Sequence, residues 1–154
     1  WKGGRLHRNF MGYTTQATNF LLGLGVSSIS DTGNGFAQNQ KTLHDYYAAV
    51  NEGRLAIKKG YFLSDEDMGF RKYILDIGCK GETRFQDSHL PILEKYTFPK
   101  LTELAKDGLI EWNNQGLKLT SQGHYFIRNI CSAFDLYLLR STTAPEKQAF
   151  SKAI

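Results

Sequence analysis

The run LLGLGVSSIS at residues 21–30 constrains the fold of this chain more than any other segment. From Leu21 to Ile29 the residues are apolar or very small, with Gly23 and Gly25 on one parity and Leu22, Leu24 and Val26 on the other, so the run reads as a buried strand. Glycine weakens a strand interior, and two of them on one face imply that something approaches the backbone closely there, as at a bulge, at a packed helix or at a ligand. Just upstream, residues 6–13 allow another short strand, followed by the turn-compatible Thr14, Thr15 and Gln16. Two strands cannot close a sheet alone. In isolation, residues 1–35 are therefore expected to be poorly ordered or to pair in a non-native way through orphan edges.

A chain of 154 residues is long enough for one domain with a real core, burying about 70% of its unfolded surface. Its 41% hydrophobic and 22% charged residues describe an ordinary globular protein, not a disordered one. No apolar stretch is long enough to span a bilayer, and no signal peptide is evident. The tryptophan at position 1 fits a processed chain or, better, a piece excised from a longer one. The net charge of +4 is modest and its basic residues are scattered among acids, which gives no electrostatic footprint for nucleic acid. The densest basic stretch, Lys2, Arg5, His7 and Arg8, reads as a solvated face, with an anionic ligand as the alternative. Cys79 and Cys131 each sit in an apolar helical pattern and read as buried, reduced thiols of a cytoplasmic protein. His7, His44, His89 and His124 are far apart, with no zinc-ligand spacing.

Beyond a turn-rich loop at 31–35, the periodicity predicts a helix over 40–51, with Leu43, Tyr46, Tyr47 and Val50 on one stripe and Gly53 as its stop. A connector follows to Leu63. Ser64 with Asp67 resembles a capping box opening a helix to about Cys79, whose stripe is Phe70, Tyr73, Ile74 and Ile77. After a loop at 81–87 come a short helix at 90–95 and another opened by Pro99, with Leu101, Leu104 and Ala105 facing inward. Residues 109–112 and 117–120 read as a hairpin. A long terminal helix is expected over 122–140, with Ile127, Ile130, Phe134, Tyr137 and Leu138 on its stripe. Helix, helix, hairpin, helix is close to a winged-helix order, which raises a DNA- or protein-binding module as an alternative. Its reading helix would offer Lys100, Thr102, Glu103 and Lys106 but no arginine, the usual bidentate reader of guanine, so nucleic acid is not the expected partner.

Six runs stand in fixed order along the chain: RNFMGYTTQ at 8–16, LLGLGVSSIS at 21–30, FAQNQK at 36–41, DGL at 107–109, LTSQG at 119–123 and RNICSAFD at 128–135. Each is weak alone. Together, and with the ending AFSKAI at 149–154, they resemble the C-terminal third of the oxygen-independent coproporphyrinogen III oxidase family, radical S-adenosylmethionine enzymes of haem biosynthesis. The related haem-chaperone proteins share the radical domain, and RNFMGYTTQ resembles the oxidase branch.

That resemblance implies a partial TIM-like barrel carrying a 4Fe-4S cluster on a CxxxCxxC loop, then a mostly helical domain. It places residues 1–35 among the last strands of the barrel and 36–154 in a winged-helix-like helical domain, so the chain should be mostly α with a small β component. For the intact protein it implies that the reduced cluster cleaves S-adenosylmethionine to a 5′-deoxyadenosyl radical that removes hydrogen from a propionate of coproporphyrinogen III. Carbon dioxide and an electron leave, a vinyl group remains, and two propionates treated this way give protoporphyrinogen IX. Cys79 and Cys131 do not make the cluster motif, so this chain is expected to be inert by itself. Ile29 matches the family position that contacts a second S-adenosylmethionine, at the end of a barrel strand where such folds put ligands. Phe10 matches a residue near the same pocket, where an aromatic packs on adenine or on a tetrapyrrole face. At Met11 the family has glutamine, so the amide hydrogen bond is lost and the thioether serves as apolar filler. The helical domain, with no catalytic group of its own, is expected to act as a lid or wall of the substrate cavity.

Overall fold

The computed structural model describes residues 5–9, 12–18 and 20–141. Among them are helices and small antiparallel sheets, and no helix is long and apolar enough to cross a membrane. The chain divides into two compact units, His7–Met68 and a second comprising Trp1–Leu6 with Gly69–Ile154.

In the His7–Met68 unit, β1 (His7–Asn9) and β2 (Gly12–Thr14) pair antiparallel with Arg8 opposite Tyr13, whose ring lies 5.5 Å from the Arg8 guanidinium carbon. A second sheet has the order β3-β4-β5, from β3 (Ile29–Asp31), β4 (Gly35–Asn39) and β5 (Ile57–Phe62). β5 falls where the sequence led us to expect only a connector. Its backbone pairs with β4 while every one of its residues stays exposed, so no buried alternation marked it. Because β4 starts at Gly35 and pairs on both sides, the sheet runs on across the boundary that the sequence set at residue 35, and the compact division falls after Met68.

Between these strands lies α1 (Leu43–Asn51), which starts at Leu43 because the Thr42 hydroxyl accepts from the Asp45 amide at 3.2 Å. Its expected stripe is not an inward face of this unit. Leu43, Tyr47 and Val50 are exposed, whereas Ala49 is buried.

The buried strand expected over 21–29 is also corrected. Only Leu21 is bridged to Asp31, by a reciprocal pair of 2.8 Å backbone bonds, and the strand proper begins at Ile29. Residues 22–28 form an irregular loop with Leu22 and Leu24 at 75% and 86% exposure. Gly25 has φ +92° and Ser27 φ +61°, so the backbone turns away from an extended path.

α2 (Asp65–Lys80) begins in the last residues of the first unit, where its N-terminus carries the expected reciprocal cap, and its Gly69–Lys80 part belongs to the second unit. The Asp67 amide donates to Ser64 Oγ at 3.1 Å and the Ser64 amide donates to Asp67 Oδ2 at 2.9 Å. β6 (Glu82–Arg84), unforeseen in the 81–87 loop, pairs with β8 (Gly116–Leu119), which also pairs with β7 (Ile110–Asn113) as the predicted hairpin. α3 (Leu90–Ile92) leads through a π-helical turn, Leu93–Thr97, directly into α4 (Phe98–Lys106).

The expected single helix over 122–140 is instead a 3-10 turn, Gly123–Phe126, then α5 (Ile127–Ser132) and α6 (Leu136–Ser141). Between α5 and α6 the chain tightens. The amides of Ala133, Phe134 and Asp135 each donate three residues back, and Asp135 Oδ1 caps α6 by accepting from the Leu138 amide at 3.0 Å. This break turns Phe134 and Leu136 into the core while Tyr137, assigned to the stripe by periodicity, is exposed. The core joins Phe70, Tyr73 and Ile77 of α2 to Leu93, Leu101, Ile110, Leu117, Ile130 and Phe134. Cys79 and Cys131 are both buried in this unit, and Cys131 Sγ donates to the Ile74 carbonyl at 3.7 Å.

One polar feature of this unit has a pH consequence. Asp76, nearly buried, accepts from Lys72 and Lys80 at 2.7 Å each, with Thr83 Oγ1 at 3.4 Å. Burial pushes the Asp76 carboxyl up, but the hydrogen bonds and charges of Lys72 and Lys80 outweigh it and hold it below the usual carboxylate range. A folded-state value below the unfolded one stabilises the fold above the unfolded value of about 3.9, and that contribution is lost as pH falls through the folded value. Asp76→Asn should therefore cost about 1–2 kcal/mol at pH 7, an amount discounted because both lysines are solvated. The difference from wild type should shrink below about pH 4. Urea midpoints between pH 7 and pH 3 measure this, and parallel curves for the two proteins would contradict it.

Candidate functional site

The segment singled out by its glycines is a loop wrapped around one asparagine. Asn39, the last residue of β4, donates from Nδ2 to the Gly23 carbonyl at 3.1 Å, the Gly25 carbonyl at 2.9 Å and Ser28 Oγ at 3.0 Å. Its backbone amide donates to the Ser28 carbonyl at 2.9 Å. Ser28 Oγ in turn donates to the Gly25 carbonyl at 2.7 Å, which leaves its lone pairs to Asn39.

Further groups close the loop. The Gly25 amide donates to the Tyr46 hydroxyl at 3.2 Å, the Gly23 amide to Ser30 Oγ at 3.0 Å, and the Ser27 amide to the Gln40 carbonyl at 2.8 Å. The Gly23 and Gly25 backbone groups, which a strand would have paired with a neighbour, are thus satisfied by side chains.

The close approach expected at the glycines occurs at Gly23, and the approaching group is Ile29. A Cβ at position 23 would stand 2.7 Å from the Ile29 oxygen and 2.8 Å from its carbonyl carbon and nitrogen. Gly25 has open space around the same position and is required instead by its φ of +92°.

Ile29 itself opens β3, opposite Gln38, and is half-buried. The two other residues that the sequence assigned to cofactor contact, Phe10 and Met11, lie outside the described residues. In the sequence Tyr46 stands out only as part of a helix stripe and Asn39 only within FAQNQK. No local pattern marks Asn39, because it ends a strand that the sequence does not predict and its partners lie 11 to 16 residues earlier.

A second candidate is an open groove of 940 Å³ in the other unit, beside α2, β6, β7 and β8. Lys72, Lys80, Arg84 and Lys118 face Asp76, Glu82, Asp87 and Glu111 there, so cations and carboxylates balance, and two of the lysines are already committed to Asp76. On α4, the helix that would read a base in a DNA-binding module, Lys100 pairs with Glu103 at 3.2 Å and the Thr102 hydroxyl donates to the Phe98 carbonyl at 3.0 Å. Among the described residues, no group of three His, Cys, Asp or Glu side chains could hold a metal ion.

No protein-family model matches the chain. It is similar to the oxygen-independent coproporphyrinogen III oxidase of Salmonella typhimurium, with 41% identity over 98% of this chain and 34% of that protein. The Escherichia coli K12 protein of the same name is 39% identical, again over 98% of this chain and 34% of the relative. In structure the chain resembles coproporphyrinogen III oxidase (HemN) from Escherichia coli, described as a radical SAM enzyme. That match has a TM-score of 0.77 at 39% identity and covers 89% of this chain and 33% of that one. The chain thus spans about a third of the length of the curated relatives it matches.

Proposed function

We propose that this chain is the C-terminal portion of an oxygen-independent coproporphyrinogen III oxidase of the cytoplasm, and that in the intact protein it walls the site of S-adenosylmethionine and the tetrapyrrole. The observation that carries this reading is the similarity extending over almost the whole chain to several such oxidases. The fold likeness to coproporphyrinogen III oxidase (HemN) of Escherichia coli, described as a radical SAM enzyme, agrees with it.

Two finer assignments belong to the same reading. The order α2, β6, α4, β7, β8, with β6 added to the hairpin, supports a winged-helix-like domain. The assignment of residues 1–35 to the end of a barrel rests on the resemblance, since the strand pairings among the described residues are antiparallel and barrel pairings are parallel.

The residues present do not fit the cluster. The chain has only Cys79 and Cys131, both buried, where three accessible thiolates at CxxxCxxC spacing are needed. No step of the reaction is therefore routed through this chain's own metal ligands. When bound elsewhere in the intact protein, the cluster and S-adenosylmethionine would supply the hydrogen-abstracting chemistry, and this chain's part is to orient and to exclude water.

Ile29 suits that part. It is β-branched and stiff, half-buried, and its backbone is fixed by the contact with Gly23 and the pairing with Gln38. Phe10 and Met11 complete the proposed apolar wall. The domain after them is proposed as a lid or wall of the substrate cavity and carries no catalytic group.

The intact protein, reconstituted with iron and sulfide without oxygen and supplied with a one-electron reductant for the cluster and an acceptor for the electron released with each carbon dioxide, should convert coproporphyrinogen III to protoporphyrinogen IX with release of two carbon dioxide molecules and consumption of S-adenosylmethionine. The 154-residue chain alone should do neither. An intact protein whose loaded cluster has been reduced, yet which fails to cleave S-adenosylmethionine in the presence of substrate, would overturn the reading.

A further inference from the structure

We propose that Asn39 is a positioning residue for S-adenosylmethionine: its side-chain amide holds the 23–28 loop in the shape that sets Ile29 against the cofactor. This inference rests on the reading of Ile29 given above and adds the residue through which that contact is built.

Three observations carry it. One amide nitrogen serves the Gly23 carbonyl, the Gly25 carbonyl and the Ser28 hydroxyl, so both ends and the middle of the loop are tied to a single side chain. All three partners present acceptors, so only a donor of this length fits. Aspartate, the same shape, would face them with lone pairs.

The second observation is backbone conformation. Ser27 holds φ +61°, a region that a residue with a Cβ adopts at a cost, and it does so where its amide reaches the Gln40 carbonyl and its carbonyl accepts from Gln38 Nε2 at 3.3 Å. The third is a β-bulge. Gln38 pairs with Lys59 but Asn39 pairs with Ile57, which leaves Lys58 as an extra residue on β5, opposite the step between Gln38 and Asn39. The bulge lies on β5, directly across from Asn39, so the pairing is irregular at the residue that clamps the loop.

The link from clamp to cofactor runs through Gly23. That residue has no Cβ and lies against the Ile29 backbone, so the position of the loop and the position of Ile29 are one geometric fact. Releasing the Gly23 carbonyl releases the surface on which Ile29 rests. Tyr46, whose hydroxyl accepts from the Gly25 amide, is a secondary tie from α1.

The test uses the intact, cluster-loaded protein and reads the affinity of the second S-adenosylmethionine from the two-site isotherm of an equilibrium dialysis, with amide exchange at Gly23, Gly25 and Ser27 as a companion measurement. Asn39→Asp should weaken affinity about tenfold, the scale set by losing one well-placed polar interaction. Ile29→Ala should weaken it comparably, and the double variant should be no worse than the weaker single, because both act on one contact. Tyr46→Phe, which keeps the ring and the fold, should give a smaller loss in the same direction and covers the case in which Asn39→Asp fails to fold.

If Ile29→Ala weakens binding while Asn39→Asp and Tyr46→Phe leave it unchanged, the positioning role is wrong and the reading of Ile29 stands. Additive losses in the double variant would likewise overturn the positioning role, because Asn39 would then act elsewhere. If Ile29→Ala has no effect, the reading and this inference both fall.

Discussion

Phe134→Ala is expected to cost the Gly69–Ile154 unit about 3–5 kcal/mol, a large share of the roughly 5–15 kcal/mol that separates a folded domain from its unfolded chain. Phe134 is fully buried, with its ring centroid 5.8 Å from that of Tyr73 and 6.1 Å from that of Phe85. It sits at the break between α5 and α6, where its amide donates to the Cys131 carbonyl, so the backbone that carries it is pinned and cannot collapse into the vacated space. Phe85 also stacks near Phe98, which lies 4.8 Å from Trp112, so the loss would propagate along one aromatic chain. Urea unfolding followed by Trp112 fluorescence measures it. A midpoint within about 1 kcal/mol of wild type would show that the pocket relaxes, contrary to the packing argument; Tyr137→Ala on the exposed face of α6 should fall within about 0.5 kcal/mol.

The second large effect is expected at Gly23. A methyl group there meets three backbone atoms of Ile29 at 2.7–2.8 Å, and a backbone cannot give way as the far end of a side chain can. Gly23→Ala should therefore separate Leu21 from Asp31, whose two bonds close the loop, at a cost of about 1–3 kcal/mol for an overpacked site. In the intact protein the same displacement of Ile29 should reduce turnover by more than about tenfold, since a shift near 1 Å can cost a hundredfold. Gly25→Ala makes the informative contrast. No atom lies within 4 Å of its Cβ position, so its penalty is conformational alone, about 1 kcal/mol for a side chain held at positive φ. Fast exchange of the Leu21 and Asp31 amides in Gly23→Ala, with protection retained in Gly25→Ala, is the expected pattern. Equal protection in both would mean that the loop yields without strain.

Several elements were legible because their signals are local. The cap of α2 is written in Ser64 and Asp67, three residues apart, and the β7–β8 hairpin has a two-residue turn between alternating strands. β5 and β6 were not legible. β6 finds its partner β8 more than 30 residues later, and β5 pairs with β4 through backbone groups while Lys58, Lys59, Tyr61 and Phe62 face outward. Such strands are made by their partners and leave no alternation in the sequence.

The 21–29 run misled for a different reason. Its apolar letters fit a buried strand, but two positive φ values and the side chains of Asn39 and Tyr46, from later in the chain, decide its path. Of the residues assigned to the cofactor from sequence, Ile29 could be placed at the start of β3, and Phe10 and Met11 lie outside the described residues.

The π-helical turn at Leu93–Thr97 carries a further consequence, for length variation. A turn closed by bonds five residues apart holds more chain than an α-helical turn, and each residue added to or removed from a helix rotates everything beyond it by about 100°. Removing one residue between Leu93 and Thr97 would place Pro99, which has no N–H to donate, in the interior of one continuous α-helix, with its ring against the carbonyl four residues back. It would also swing Leu101 and Leu104 away from the core and bring the charged face of α4 toward Ile110. Local hydrogen bonding at Pro99 and tertiary packing would both reject that deletion, so the register of α4 depends on the one residue that the π-helical turn adds.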